Sequence, residues 1–315
     1  MSINAELLPF LDQFPQLELT KENLRQTRHE LNRMSLEAAA VIEGYDHVSV
    51  ADEKIAGPSP NQTLRLRLYS GPDAPGLRPC LLWIHGGGYI LGCPEMDELL
   101  LCRMVDELGC LIVSVDYRLA PEHPYPAALD DCDAALGWIL ENAAALSIDT
   151  KSLALGGASA GGGLAAALAL RCRDQRPGAI TYQCLIYPML DHRNVRAARE
   201  AGTSYWLWGP DHNRFAWEVY LSPNDFSQGV SPFASPARAQ NLDGLPPTYL
   251  CIGDQDLFYE ESLEYASRLR GSDVPVDLHE VPGAPHGFDR LPTRLGEREL
   301  RRRFKALAQH FAAHG

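Results

Sequence analysis

A chain of 315 residues, 45% of them hydrophobic and 22% charged, has ordinary globular composition and the length for one large domain, or for one domain with an appended cap. Lysine and arginine number 28 against 41 aspartates and glutamates, a formal net charge of −13. That balance gains nothing from phosphate backbones and sets nucleic acid aside as a partner. No apolar run approaches membrane-spanning length. The opening Met1-Ser2-Ile3-Asn4-Ala5-Glu6, with Pro9, Asp12 and Pro15 after it, lacks the basic start and apolar core of a signal peptide, so the expected compartment is the cytoplasm.

Residues 1–43 read as helical. Leu7, Leu8 and Leu11 recur at helical spacing, and a second helix follows Thr20, a candidate N-cap with Asn23 at the reciprocal position. Strands are expected from Tyr45 to Val50 and from Thr63 to Tyr69, with Pro58-Ser59-Pro60-Asn61 turning between them. From Cys80 onward, strands and helices alternate. Strands are expected at 80–84, 111–115, 151–155, 180–187, 247–252 and 274–281. Helices are expected at 96–108, 126–145, after residue 159, at 260–270 and at 294–313. That rhythm predicts an α/β class protein with a mostly parallel, eight-stranded sheet flanked by helices, whose functional groups gather at the carboxyl ends of the strands.

One interval interrupts the rhythm. Between Asp191 and Gln240 no strand is evident, and the segment holds Trp206, Trp208 and Trp217, three of the five tryptophans, with Tyr205, Phe215 and Tyr220. An insertion of that length in a sheet domain reads as a lid or small module. Eight cysteines are present, none in C-x-x-C spacing, and they read as small buried hydrophobes; no metal site is expected.

Four stretches follow strands directly. His85-Gly86-Gly87-Gly88-Tyr89 frees consecutive backbone N–H groups for an atom that must approach closely. Gly157-Ala158-Ser159-Ala160-Gly161 lies between a strand and an alanine-rich helix, the G-x-S-x-G elbow that lifts a serine hydroxyl above a sheet. Gly253-Asp254-Gln255-Asp256 offers two carboxylates, of which Asp256 is the candidate acid and Asp254 a loop-stabilising residue. Pro285-His286-Gly287-Phe288 supplies a histidine able to reach back to the serine, whereas His29, His192, His212, His310 and His314 lie on helices or in the insertion. Glycine loop, serine, acid and histidine occur in the order of a serine hydrolase.

Together with Asp116-Tyr117-Arg118-Leu119-Ala120-Pro121-Glu122, the following His123-Pro124-Tyr125-Pro126-Ala127-Ala128, and Tyr187-Pro188-Met189-Leu190-Asp191, these motifs resemble the hormone-sensitive-lipase family of bacterial esterases over about residues 80–288. The resemblance implies an α/β-hydrolase fold with a helical cap. Residues 1–43 and 192–240 would form the cap, and 44–191 with 241–315 the core. It implies cofactor-free hydrolysis of short- to medium-chain acyl esters, with Ser159 as nucleophile, His286 as base and Asp256 as acid. The N–H groups of Gly87, Gly88 and Ala160 would form the oxyanion hole, supported by His85 and Gly86. Tyr89, Trp206, Trp208 and Phe215 are candidate pocket residues. An amidase, deacetylase or acyltransferase with the same triad stays open, and a non-catalytic ligand receptor on this fold is disfavoured by the complete triad. The partner is then a small ester, and dimerisation, common in the family, is left open. Ala158 departs from the Asp, Glu or Thr that the family commonly places before its serine.

Overall fold

The computed structural model describes residues 2–11, 18–72, 76–194, 207–222 and 229–314. Its centre is an eight-stranded sheet of order β1-β2-β4-β3-β5-β6-β7-β8. The strands are β1 (Ser49–Ala56), β2 (Thr63–Ser70), β3 (Arg78–Ile84), β4 (Leu111–Val115), β5 (Ile148–Ala158), β6 (Tyr182–Ile186), β7 (Thr248–Gly253) and β8 (Val276–Val281). β1 and β2 run antiparallel to their neighbours, and all the other pairings are parallel.

Central strands read as continuous apolar runs because both faces are covered. Every residue of β4 (LIVSV) and of β6 (YQCLI) is buried. The crossovers from β3 to β4, β4 to β5, β5 to β6 and β7 to β8 carry α3 (Glu98–Leu108), α4 (Ala127–Glu141), α5 (Ala160–Gln175) and α7 (Tyr259–Gly271), with α8 (Arg294–His314) closing the chain. The eight cysteines are buried and free. Among the described residues, no helix is long and apolar enough to cross a membrane.

The first strand differs from expectation. Residues 45–48 form a turn, with Val48 N–H bonded to Tyr45 O, and β1 runs later, pairing Ser49 with Ser70 through Ala56 with Thr63. As an edge strand it is wet on both sides, and only Ile55 is buried. The apolar alternation that marks a half-buried strand is therefore missing from its sequence. The helix expected around Leu7 is a single turn, α1 (Leu8–Leu11), whereas α2 (Leu24–Ala39) is long. Thr20 and Asn23 do form a reciprocal box: Asn23 N–H donates to Thr20 Oγ1 at 3.3 Å and Thr20 N–H to Asn23 Oδ1 at 2.9 Å.

Two segments meet the carboxyl-end edge of the sheet. From α2, Arg28 donates to Ile90 O at 2.9 Å and Ala120 O at 2.8 Å, and pairs with Glu122 at 3.0 Å. From the 192–240 insertion comes α6 (Pro210–Leu221), which buries Asn213, Trp217 and Tyr220. Charges of the 116–122 segment are paired: Asp116 accepts from Arg65 Nε at 2.9 Å, and Arg118 grips the fully buried Asp131. At this edge β3, β5, β6, β7 and β8 end in register, with Ile84 beside Gly157, Ala158 beside Ile186, Ile186 beside Cys251 and Gly253 beside Val281. The loops that leave them start as neighbours for that reason.

Candidate active site

Ser159 occupies the single residue between β5 and α5, at φ 58° and ψ −122°. A non-glycine residue at positive φ is strained and persists only where its surroundings fix it. Here its N–H donates to Ile186 O at 2.9 Å, while its C=O accepts from Gly163 N–H at 3.0 Å and Met189 N–H at 2.9 Å. The flanking glycines are required by contact. A Cβ on Gly161 would lie 2.0 Å from Ile84 O, and one on Gly157 would lie 2.5 Å from Gly161 O.

His286 arrives on the loop after β8. Its Nε2 is 3.0 Å from Ser159 Oγ and its Nδ1 is 2.7 Å from Asp256 Oδ2. The second oxygen of Asp256 accepts the Phe258 N–H at 2.9 Å, so both carboxylate oxygens are engaged and the group is 2% exposed. Two rings meet the imidazole edge-on, Tyr187 at 4.6 Å and Phe258 at 5.2 Å between centroids. Tyr187 is itself held by its hydroxyl on Asp289 at 2.7 Å. The neighbouring Asp254 points elsewhere, accepting Gly283 N–H at 2.7 Å, and so ties the acid turn to the histidine loop.

The glycine loop is held from behind. Gly86 C=O accepts from the His85 ring at 2.8 Å and from the Tyr117 hydroxyl at 3.4 Å. Gly87 C=O accepts from Ile90 N–H at 3.1 Å and Leu91 N–H at 2.9 Å. A trans peptide places C=O and N–H on opposite sides. Anchoring the carbonyls of Gly86, Gly87 and Ser159 therefore aims the N–H groups of Gly87, Gly88 and Ala160 the other way. None of those three N–H groups has a protein acceptor among the described residues. His85 is fully buried and stacked on Tyr117 at 4.2 Å, and burial pushes its pKa down. As a neutral ring it donates through Nδ1, which leaves Nε2 without a partner.

The pocket candidates separate. Tyr89 does not face open space, contrary to expectation: it is 1% exposed, stacks on Tyr220 at 4.0 Å and donates to Met189 O at 3.0 Å. Being directly behind the glycine loop, it fastens that loop to α6. Trp208 lies against Gly88, Phe215 is half-buried against the core, and Trp206 falls outside the described residues. A cavity of about 520 Å³ opens between α3, α8 and the loop after His286. Ala158 and Tyr187 line it, while Ser159 and His286 do not. Among the described residues no His, Cys, Asp and Glu cluster is arranged to hold a metal ion.

Sequence reading did not single out Tyr187, Asn194, Asn213 or Leu207 individually. Their partners lie far along the chain or depend on backbone angles such as φ 34° at Tyr187 and 40° at Leu207, which no periodicity reports.

Beneath the site, Glu261 is buried on α7 and accepts from Leu190 N–H at 2.7 Å and Asn194 Nδ2 at 2.6 Å. Burial pushes its pKa up to about 8, helped by Asp191 and opposed by those hydrogen bonds. A carboxyl whose folded pKa is raised binds its proton more tightly folded than unfolded. Its stabilising contribution is full below the unfolded value and is lost as pH rises towards 8. Glu261→Gln is expected to flatten the fall in melting temperature between about pH 5 and 8, relative to wild type, by several degrees in thermal scans.

Comparisons with known proteins place the whole chain among esterases of one fold. A family model described as the alpha/beta hydrolase fold matches residues 81–290. Esterase LipI of Mycobacterium tuberculosis is 32% identical over 294 residues, covering 91% of this chain and 88% of that protein. Ethyl acetate hydrolase of Pseudomonas putida is 32% identical over 288 residues, covering 89% and 90%. Among solved structures, a bacterial heroin esterase superposes with TM-score 0.91 at 33% identity, over 98% of both chains. Esterase LipW from Mycobacterium marinum does so with TM-score 0.88 at 35% identity, again over 98% of both.

Proposed function

We propose, for a chain that belongs to the hormone-sensitive-lipase-like family of α/β-hydrolases and is a serine carboxylic-ester hydrolase, that it cleaves short- to medium-chain acyl esters through an acyl-enzyme on Ser159. The supporting observation is the hydrogen-bonded line Asp256–His286–Ser159, at 2.7 and 3.0 Å.

In this reading Ser159 Oγ attacks the ester carbonyl while His286 Nε2 takes its proton. Asp256 keeps the other ring proton on Nδ1 and stabilises the imidazolium. The carbonyl oxygen becomes an oxyanion facing the N–H groups of Gly87, Gly88 and Ala160, where losing one donor costs roughly 3–4 kcal/mol of transition-state stabilisation. Collapse of the tetrahedral intermediate breaks the C–O bond, and His286 returns the proton to the leaving alkoxide. Water then repeats the sequence on the acyl-serine, releasing the carboxylic acid and restoring Ser159. We read the described parts of residues 1–43 and 192–240 as one cap over this edge of the sheet.

Hydrolysis of p-nitrophenyl esters from acetate to palmitate, beside the matching anilides, tests this reading. Ester kcat/KM is expected to peak at short or medium chains and to exceed that of the anilides by orders of magnitude. A peak at palmitate contradicts the acyl range, and anilide turnover matching the esters favours an amidase.

A further inference from the structure

Two consecutive insertion residues reach the two loops that flank Ser159. The indole of Trp208 lies where a side chain on Gly88 would be, 2.1 Å from a Cβ built there. Leu207 lies 2.7 Å from a Cβ built on Gly287, the residue after His286. Leu207 holds φ 40° and is 40% exposed, an apolar side chain kept at the surface by a strained backbone. One side chain therefore meets the oxyanion loop and the next meets the histidine loop.

A line of polar groups holds the tryptophan there. Trp208 Nε1–H donates to Asn213 Oδ1 at 3.4 Å. Asn213, fully buried on α6, donates through Nδ2 to Asn194 O at 2.5 Å. Asn194 in turn donates through Nδ2 to Leu257 O at 3.0 Å and to Glu261 Oε2 at 2.6 Å. Leu257 is the residue after Asp256, so the line runs from the wall over Gly88 to the turn that carries the acid. Asparagine suits position 213 because one planar amide offers both the acceptor that the indole needs and the donor that the carbonyl needs. Leucine has the same shape and supplies neither.

We propose that Asn213 and Asn194 are positioning residues that fix Trp208 as the wall of the acyl site, making the preferred substrates esters of short acids, acetyl to butyryl. The proposal rests on the triad reading, since an oxyanion at Gly87, Gly88 and Ala160 brings the ester carbonyl beside Trp208. With the wall in place, each added methylene meets the indole, and a pocket wall discriminates by about tenfold or more per group.

The test compares kcat/KM for p-nitrophenyl acetate and octanoate in wild type, Trp208→Ala, Asn213→Leu and the double variant. Titration with diethyl p-nitrophenyl phosphate counts reactive serines, so that loss of folded protein is scaled out. Trp208→Ala is expected to raise the octanoate-to-acetate ratio by about tenfold or more. Asn213→Leu should shift it in the same direction, and the double variant should match Trp208→Ala alone, because a wall already removed needs no support. Should Asn213→Leu not fold, Asn194→Leu, which keeps the carbonyl that Asn213 meets but loses its anchors on Leu257 O and Glu261, should shift the ratio in the same direction. An unchanged ratio in a fully titratable Asn213→Leu, or shifts that simply add in the double variant, would overturn the proposal. A wild type that the phosphate does not inactivate would instead overturn the triad reading.

Discussion

Ser159→Ala is expected to lower kcat for p-nitrophenyl acetate by about 10⁵- to 10⁶-fold, with circular dichroism and melting temperature close to wild type. Removing the hydroxyl takes away the oxygen that lies 3.0 Å from His286 Nε2, so no acyl-enzyme can form. The elbow has little reason to change. Its φ of 58° is imposed by its bond to Ile186 O, by those from the Gly163 and Met189 N–H groups and by the closeness of Gly157 and Gly161, none of which uses the serine side chain. Residual turnover would come from the N–H groups of Gly87, Gly88 and Ala160, which still receive the carbonyl oxygen.

Asp256→Asn is expected to cost about 10⁴-fold in kcat, and the reason lies in the second oxygen. Asp256 Oδ1 accepts the Phe258 N–H at 2.9 Å while Oδ2 faces His286 Nδ1 at 2.7 Å. An asparagine that keeps its carbonyl on Phe258 must turn its NH₂ towards the histidine. Nδ1 then becomes an acceptor, the ring proton moves to Nε2, and the base that Ser159 needs is gone. Asp254→Asn, two residues away, is expected to cost less than about tenfold, because its carboxylate meets Gly283 N–H and Gln255 rather than His286. Parallel steady-state measurements on the two variants separate the two carboxylates.

Much of this site was legible because its residues are punctuation. Glycines at 87, 157 and 161 are demanded by backbone approach, and they cluster where β3 and β5, two strands with unmistakable apolar runs, come to their ends. The Leu111–Val115 strand was legible for the same reason, being buried on both faces. β1 was not, since a wet edge strand has no apolar pattern to read. Tyr89 reads in the sequence as a candidate pocket residue. Its positive φ of 64° instead turns the ring into the stack with Tyr220, a partner more than a hundred residues away that no local pattern reveals. The insertion was legible as a unit but not in its parts. That Trp208 meets Gly88 and is held by Asn213 and Asn194 depends on tertiary contacts, and an asparagine in a helix, as at 213, reads locally as neutral or unfavourable. Ala158 was visible as a departure from the family's usual elbow, and in the fold it lines the cavity beside Tyr187 and Arg290.

The central claim is that Ser159 is the nucleophile, activated by His286. Its most direct measurement is the site of covalent capture: the protein is treated with diethyl p-nitrophenyl phosphate, its intact mass recorded, and the modified peptide sequenced. The account predicts one diethylphosphoryl group per chain, carried by Ser159, with esterase activity lost in proportion to its appearance. Phosphorylation at another residue in step with inactivation, or full activity remaining on chains modified at Ser159, would contradict it.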